Sequence, residues 1–119
     1  MLIIEDNLVN MRLAVVLLQS AGHTVLTATD AESGMTLARD RQPNLILMDI
    51  QLPGIDGLEA TRQLRRQEAT QAIPVIALTA LAMKGDEQRI RDAGCDDYIA
   101  KPMHYRQFLD AVTRQLGRP

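Results

Sequence analysis

The chain has 119 residues, 46% of them hydrophobic and 24% charged, and fifteen acids against thirteen bases leave a formal charge of −2. That length holds one domain with a real core and no second full domain, so residues 1–119 read as a single unit. No basic excess serves nucleic acid, no apolar run spans a bilayer, no signal peptide is evident, and a lone Cys95 excludes a disulfide framework or cysteine-based zinc site.

Short apolar runs alternate with helical patterns from end to end. Leu2-Ile3-Ile4 predicts a strand, and Leu8, Met11, Val15 and Leu18 follow at helical spacing. Thr24 to Ala28 predicts a second strand, followed by a helix through Ala31, Met35 and Ala38 that Thr29 or Asp30 can cap. Leu45 to Met48 is the most apolar run and leads, past Pro53, to a helix starting near Gly57 and carrying Ala60 and Leu64. Val75 to Leu78 precedes a charged helical segment with Met83, Ile90 and Ala93. Tyr98-Ile99-Ala100 precedes Tyr105, Phe108, Leu109, Val112 and Leu116. Gly22, Gly94 and Gly117 stand where helices should stop, and Pro43 and Pro74 just before strands.

These are five βα units. Strands apolar on both faces imply a parallel sheet covered on both sides. Five units are too few to close an eight-stranded barrel, so an open, doubly wound α/β sheet remains. With one Phe, two Tyr and no Trp, its core must be aliphatic.

In such a sheet ligands gather at the carboxyl ends of the strands. There the sequence places Glu5-Asp6-Asn7 after the first strand, Asp49 after the third, Thr79-Ala80 after the fourth and Lys101-Pro102 after the fifth. If the first and third strands are neighbours, Glu5, Asp6 and Asp49 share a pocket. Two carboxylates at ~4 Å repel by about 4 kcal/mol at an effective dielectric of 20, so three require a cation. An all-oxygen set suits Mg²⁺ better than zinc, and Lys101 brings only one positive charge. Each residue also has a plainer role. Asp6 or Asn7 can cap the first helix, Thr79 can be a satisfied strand-end hydroxyl, and Lys101 a solvated charge in a turn. Asp49 is a poor cap, because Pro53 and Gly54 separate it from its helix. Four such coincidences at one sheet edge favour a site. Elsewhere, His23 and His104 read as surface residues, Cys95 as packing, and Arg62, Arg65 and Arg66 as a solvated helix face.

Ile3-Ile4-Glu5-Asp6-Asn7, Leu47-Met48-Asp49-Ile50-Gln51-Leu52-Pro53 with Gly57, Ala77-Leu78-Thr79-Ala80 and Tyr98-Ile99-Ala100-Lys101-Pro102 occur in this order. Over residues 2–116 the chain resembles the response-regulator receiver domains of bacterial two-component signalling. The stretch from Ala82 to Cys95 adds a nearer likeness to single-domain cell-cycle regulators and hybrid-kinase receivers. Against the family's usual length, Leu2 to Glu5 leave a short first strand, which a truncated or alternative start would explain.

The resemblance implies a flavodoxin-like (βα)5 sheet of order 2-1-3-4-5. It implies Asp49 as phosphoacceptor, Mg²⁺ on Asp6, Asp49 and the Gln51 carbonyl with Glu5 acting through water, and Thr79 and Lys101 on the phosphoryl oxygens. Tyr98 becomes the switch aromatic partnered with Thr79, and the Lys101-Pro102 peptide is cis. It implies a histidine kinase or histidine phosphotransfer protein as phosphodonor and a cytoplasmic location for this chain. The output is a protein contact through the fourth helix, fifth strand and fifth helix, with no direct contact to nucleic acid or membrane. Two rivals fare worse. A haloacid-dehalogenase-type phosphotransferase needs a second acid where Gln51 stands, and a flavodoxin-like flavin protein needs a phosphate loop where Glu5-Asp6 would repel phosphate.

Overall fold

Strand and helix alternate through the computed structural model, which describes residues 1–80, 84–101 and 104–117, the side chains of residues 84 and 85 excepted. The order is β1 (Leu2–Ile4), α1 (Leu8–Ser20), β2 (Leu26–Ala28), α2 (Ala31–Arg41), β3 (Ile46–Asp49), α3 (Gly57–Arg66), β4 (Val75–Thr79), α4 (Lys84–Asp92), β5 (Asp97–Ala100) and α5 (Tyr105–Leu116). All pairings are parallel, in the order β2-β1-β3-β4-β5. The expected open five-stranded sheet is therefore the observed one. No helix of the described residues is long and apolar enough to cross a membrane.

Strand alternation divides the core in two. Ile4, Met48 and Ala77 point to one face, where α2, α3 and α4 cover them with Ala38, Leu64 and Ile90. Ile3, Leu47 and Ile76 point to the other, covered by α1 and α5 with Leu18 and the wholly buried Phe108. The central strands β1, β3 and β4 are buried along their length, whereas the edge strands β2 and β5 are partly exposed. This sandwich holds the strand ends, and the acids on them, in fixed register.

Capping settles which acids are spare. Asn7 caps α1, Asp30 caps α2 and Asp56 caps α3, each accepting a backbone N–H from its helix's first turn. Asp6 and Asp49 are thus left without capping duties. Gly22 and Gly94 end their helices with φ of 91° and 106°, as their positions predicted. The end of α2 has no glycine: Gln42 takes φ 47°, and its own Nε2 donates to the Ala38 and Arg39 carbonyls.

One expectation fails here. Arg62 and Arg66 are exposed, but Arg65 does not belong to a solvated face. Its Nε donates to the Gly94 carbonyl at 2.9 Å, Nη1 to the Gln71 and Ile73 carbonyls at 3.0 and 2.7 Å, and Nη2 to Asp96 Oδ2 at 2.9 Å. That carboxylate oxygen also accepts the Val75 N–H. The guanidinium fork fits several acceptors at once, so Arg65 ties the end of α3 to the starts of β4 and β5. The Lys101-Pro102 peptide lies outside the described residues.

Candidate functional site

The carboxyl edge of the sheet gathers the predicted residues because β1, β3, β4 and β5 end there together. Glu5 leaves β1 with its N–H on the Ala28 carbonyl at 3.0 Å, which fixes it beside β2. Its side chain is wholly buried, and Oε2 accepts the Asn7 N–H at 3.2 Å. Asp6 follows in the turn and is exposed. Asp49 ends β3 at 2% exposure, and its Oδ1 accepts the Gln51 N–H at 3.1 Å. Ile50 N–H donates to the Leu78 carbonyl and Gly57 N–H to the Ile50 carbonyl, pinning the Asp49 backbone between β4 and α3. Gly57 permits that approach: a Cβ there would collide with the Asp49 carbonyl oxygen. Its place in the motif was legible from sequence, but this packing reason was not.

Thr79 ends β4, buried, opposite Ala100 in the β4–β5 register. Its carbonyl accepts the Lys101 N–H at 2.7 Å. From that anchor the Lys101 side chain reaches back across the sheet edge. Its ammonium lies 2.8 Å from Glu5 Oε1 and 3.2 Å from Asp49 Oδ1. The reach to Glu5 is a finding that the sequence did not foretell. Tyr98 is half-buried and packs against the apolar cluster on the α4 side. Gln51 is exposed beside Asp49.

Oxygens of Glu5, Asp6 and Asp49 all lie within 4.8 Å of one another. At that spacing each ionised pair repels by about 3–4 kcal/mol at an effective dielectric of 20. Protons absorb part of this. Burial, then the hydrogen bond and charge of Glu5, push the Asp49 carboxyl up to about 7. Burial opposes ionisation of Glu5 too, but its contacts with Asp49 and Lys101 outweigh it and hold the carboxyl below its usual range. The same contacts raise the Lys101 ammonium against the opposing effect of burial. Glu5 and Lys101 are therefore charged at neutral pH, while Asp49 is poised between its two forms.

The donor set fits a hard divalent cation. It is all oxygen, and it combines an exposed carboxylate with buried ones. The buried Glu5 Oε1 also accepts no hydrogen bond of good geometry, although the Lys101 ammonium neutralises it at close range.

Comparison with known proteins agrees with this arrangement. A family model described as the response regulator receiver domain matches residues 1–113. The chain is similar to the polar-differentiation response regulator DivK of Brucella ovis, 46% identical over 116 residues that cover 98% of this chain and 94% of that protein. It is similar also to the receiver domain of a sensor histidine kinase of Pseudomonas aeruginosa, solved with a magnesium ion coordinated in its active-site cleft. There the identity is 38%, the TM-score 0.91, and the match covers 98% of this chain and 96% of that one. A CheY-like receiver protein of Methanospirillum hungatei matches with 27% identity and a TM-score of 0.88, over 98% of this chain and 91% of that one.

Proposed function

Because the chain belongs to the response regulator receiver domains, and is thus a phosphoacceptor signalling domain rather than a conventional enzyme, we propose that Asp49 is the residue that takes the phosphoryl group. The observation that carries this is the meeting of Glu5, Asp6 and Asp49 under one ammonium, with Asp49 at the strand end. One oxygen of the Asp49 carboxylate forms the new P–O bond as the P–N bond of a phosphohistidine breaks, and the imidazole keeps the electron pair. Lys101 stabilises charge on the transferring oxygens, and Thr79, at the end of the adjoining strand, donates its hydroxyl to one of them. Asp6, Asp49 and the Gln51 carbonyl would hold Mg²⁺, with Glu5 acting through water. The ion supplies charge neutralisation on the phosphoryl oxygens. Incubation with acetyl phosphate and Mg²⁺ should add one phosphoryl group by intact mass, mapping to the peptide that contains Asp49.

The poised state of Asp49 makes metal uptake pH-dependent. An incoming cation displaces the proton held on the Glu5–Asp49 pair. With that proton leaving near pH 7, Mg²⁺ affinity should rise about tenfold between pH 6 and pH 8. Titration calorimetry in two buffers of different ionisation enthalpy will register the released proton at pH 6 and none at pH 8.

Docking of the donor has a matching surface. The large apolar side chains exposed among the described residues are Leu8, Val9, Leu13, Val16 and Tyr105, all on α1 or at the start of α5. Leu8 and Val9 stand in the first turn after Asp6, at the rim of the acidic cleft. A partner that delivers a phosphohistidine must cover that rim, and Val9, Leu13 and Val16, which share one side of α1 by helical spacing, favour a protein contact there. Val9→Asp should slow phosphotransfer from a histidine phosphotransfer protein about tenfold and leave uptake from acetyl phosphate unchanged, as measured by quench-flow.

The output runs through α4, β5 and α5. When Thr79 moves toward a phosphoryl group, Tyr98 turns inward into the space beneath it, and the surface around β5 changes. The bound phosphoryl group thus biases two packings of one face. Residues 1–119 act as one receiver domain, and the buried free thiol of Cys95 suits the reducing cytoplasm.

A further inference from the structure

Between α4 and α5, along the outer edge of β5, runs a groove of about 650 Å³. Its charges are Glu87, Asp96, Asp97 and Asp110 against Arg91 and Arg114. Both guanidinium groups are already engaged, Arg91 with Glu87 at 3.6 Å and Arg114 with Asp97 at 2.8 Å. Asp96 is held from behind by Arg65. No ion pair among the described residues reaches Asp110. Among the described residues the groove therefore presents one carboxylate outside any ion pair and no guanidinium outside one.

Gln115 lines the same groove at 5% exposure. Its Nε2 donates weakly to Asp97 Oδ2 at 3.5 Å, and its Oε1 is buried and accepts no hydrogen bond from the described residues. A buried acceptor without a donor is a standing cost that an arriving N–H removes. Gln115 lines the groove, so a turn of its side chain on binding would bring that oxygen to a ligand there.

The shape and chemistry also indicate what does not bind. An amphipathic helix seeks an apolar trough. Among the described residues the exposed large apolar side chains lie elsewhere, on α1 and at Tyr105. What the groove offers is an edge strand of four residues, a span of about 13 Å, walled by acceptors.

We propose that this groove binds an extended, cationic segment of a partner protein, with a Lys or Arg side chain set against Asp110 and an N–H donated to Gln115 Oε1. The proposal rests on the reading of this face as the output surface and adds the chemistry of what it recognises. Tyr98 lines the groove, so its inward turn would change the fit and couple recognition to phosphorylation.

The test uses the full ¹⁵N-labelled chain with Mg²⁺ and beryllofluoride, the Mg²⁺ also occupying the acidic cleft. The probe is a capped hexapeptide of alternating Arg and Ser, and its control carries Glu in place of Arg. The Arg peptide should produce saturable shifts at Tyr98, Asp110 and the Gln115 side-chain amide, and the Glu peptide none. Asp110→Asn and the near-isosteric Gln115→Met should each weaken the Arg peptide at least threefold while keeping a folded spectrum. The proposal is overturned if both peptides shift the groove equally, if the shifts stay around Asp6, or if neither variant weakens binding. It is also overturned if the groove signals move with protein concentration alone, which would make a second copy the occupant. A beryllofluoride spectrum in which Tyr98 and β5 do not move would instead overturn the output reading, and the peptide titration would still decide the groove.

Discussion

Asp49→Asn takes up no phosphoryl group. After incubation with acetyl phosphate and Mg²⁺ the wild-type chain gains one and the variant none above background, a loss of roughly a thousandfold or more. The substitution keeps the size of the side chain and an Oδ1 that accepts the Gln51 N–H, so the site stays shaped. What disappears is the anionic oxygen that forms the new bond. A variant that labels as the wild type does would move the site elsewhere. The same change has a second signature, in stability. Folded Asp49 titrates at about 7, whereas the unfolded residue titrates near ~4. Between those values the folded chain holds a proton that the unfolded chain has released. Its stabilising contribution is complete below about pH 4 and is lost as pH rises through about 7. In metal-free buffer the wild-type melting temperature should therefore fall from pH 5 to pH 8. The Asn variant should stay flatter and melt above the wild type at pH 8.

Lys101→Met should lower the rate of phosphoryl uptake by about 10²–10³-fold, the usual cost of removing one charge-stabilising donor from a transfer site. Methionine preserves the length of the side chain and removes the ammonium that lies 2.8 Å from Glu5 and 3.2 Å from Asp49. The change also leaves Glu5 buried without its counter-charge. Breaking a buried ion pair by removing one partner costs about 3 kcal/mol or more, so thermal stability without metal should drop. Mg²⁺ separates the two effects. With a competing cation gone, Mg²⁺ affinity should hold or tighten while the rate remains low. Uptake at the wild-type rate would remove Lys101 from the transfer step. Loss of Mg²⁺ affinity along with the rate would mean that the cleft had collapsed.

The sheet was legible because its strands are apolar on both faces and its helices carry apolar residues at helical spacing. Ile3 and Ile4 feed opposite cores, and Phe108 closes one of them, as their pattern implied. The gathering of Glu5, Asp6 and Asp49 at one edge followed only from the strand order that the family resemblance implied, because the residues alone do not make β1 and β3 neighbours. The choice between Asp6 and Asn7 as cap was not, since either could bond the first turn. The structure gives that role to Asn7. Long side chains were the least legible. Neither the reach of Lys101 to Glu5 nor the fork of Arg65 has a local pattern, because their partners lie 96 and 31 residues away at most. The left-handed Gln42 likewise gave no signal, because its own amide satisfies the helix end that a glycine usually relieves.

The Arg65 fork makes the two rims of the sheet energetically unlike. At the amino rim one guanidinium joins three carbonyls and a carboxylate from separate segments, so none of those segments can open without abandoning the others. At the carboxyl rim the buried acids repel one another and rely on one ammonium. Local opening is thus costly at the foot of the domain and cheap at its head. A charge added at the head should therefore speed amide hydrogen exchange in the loops there more than at the Arg65-tied foot.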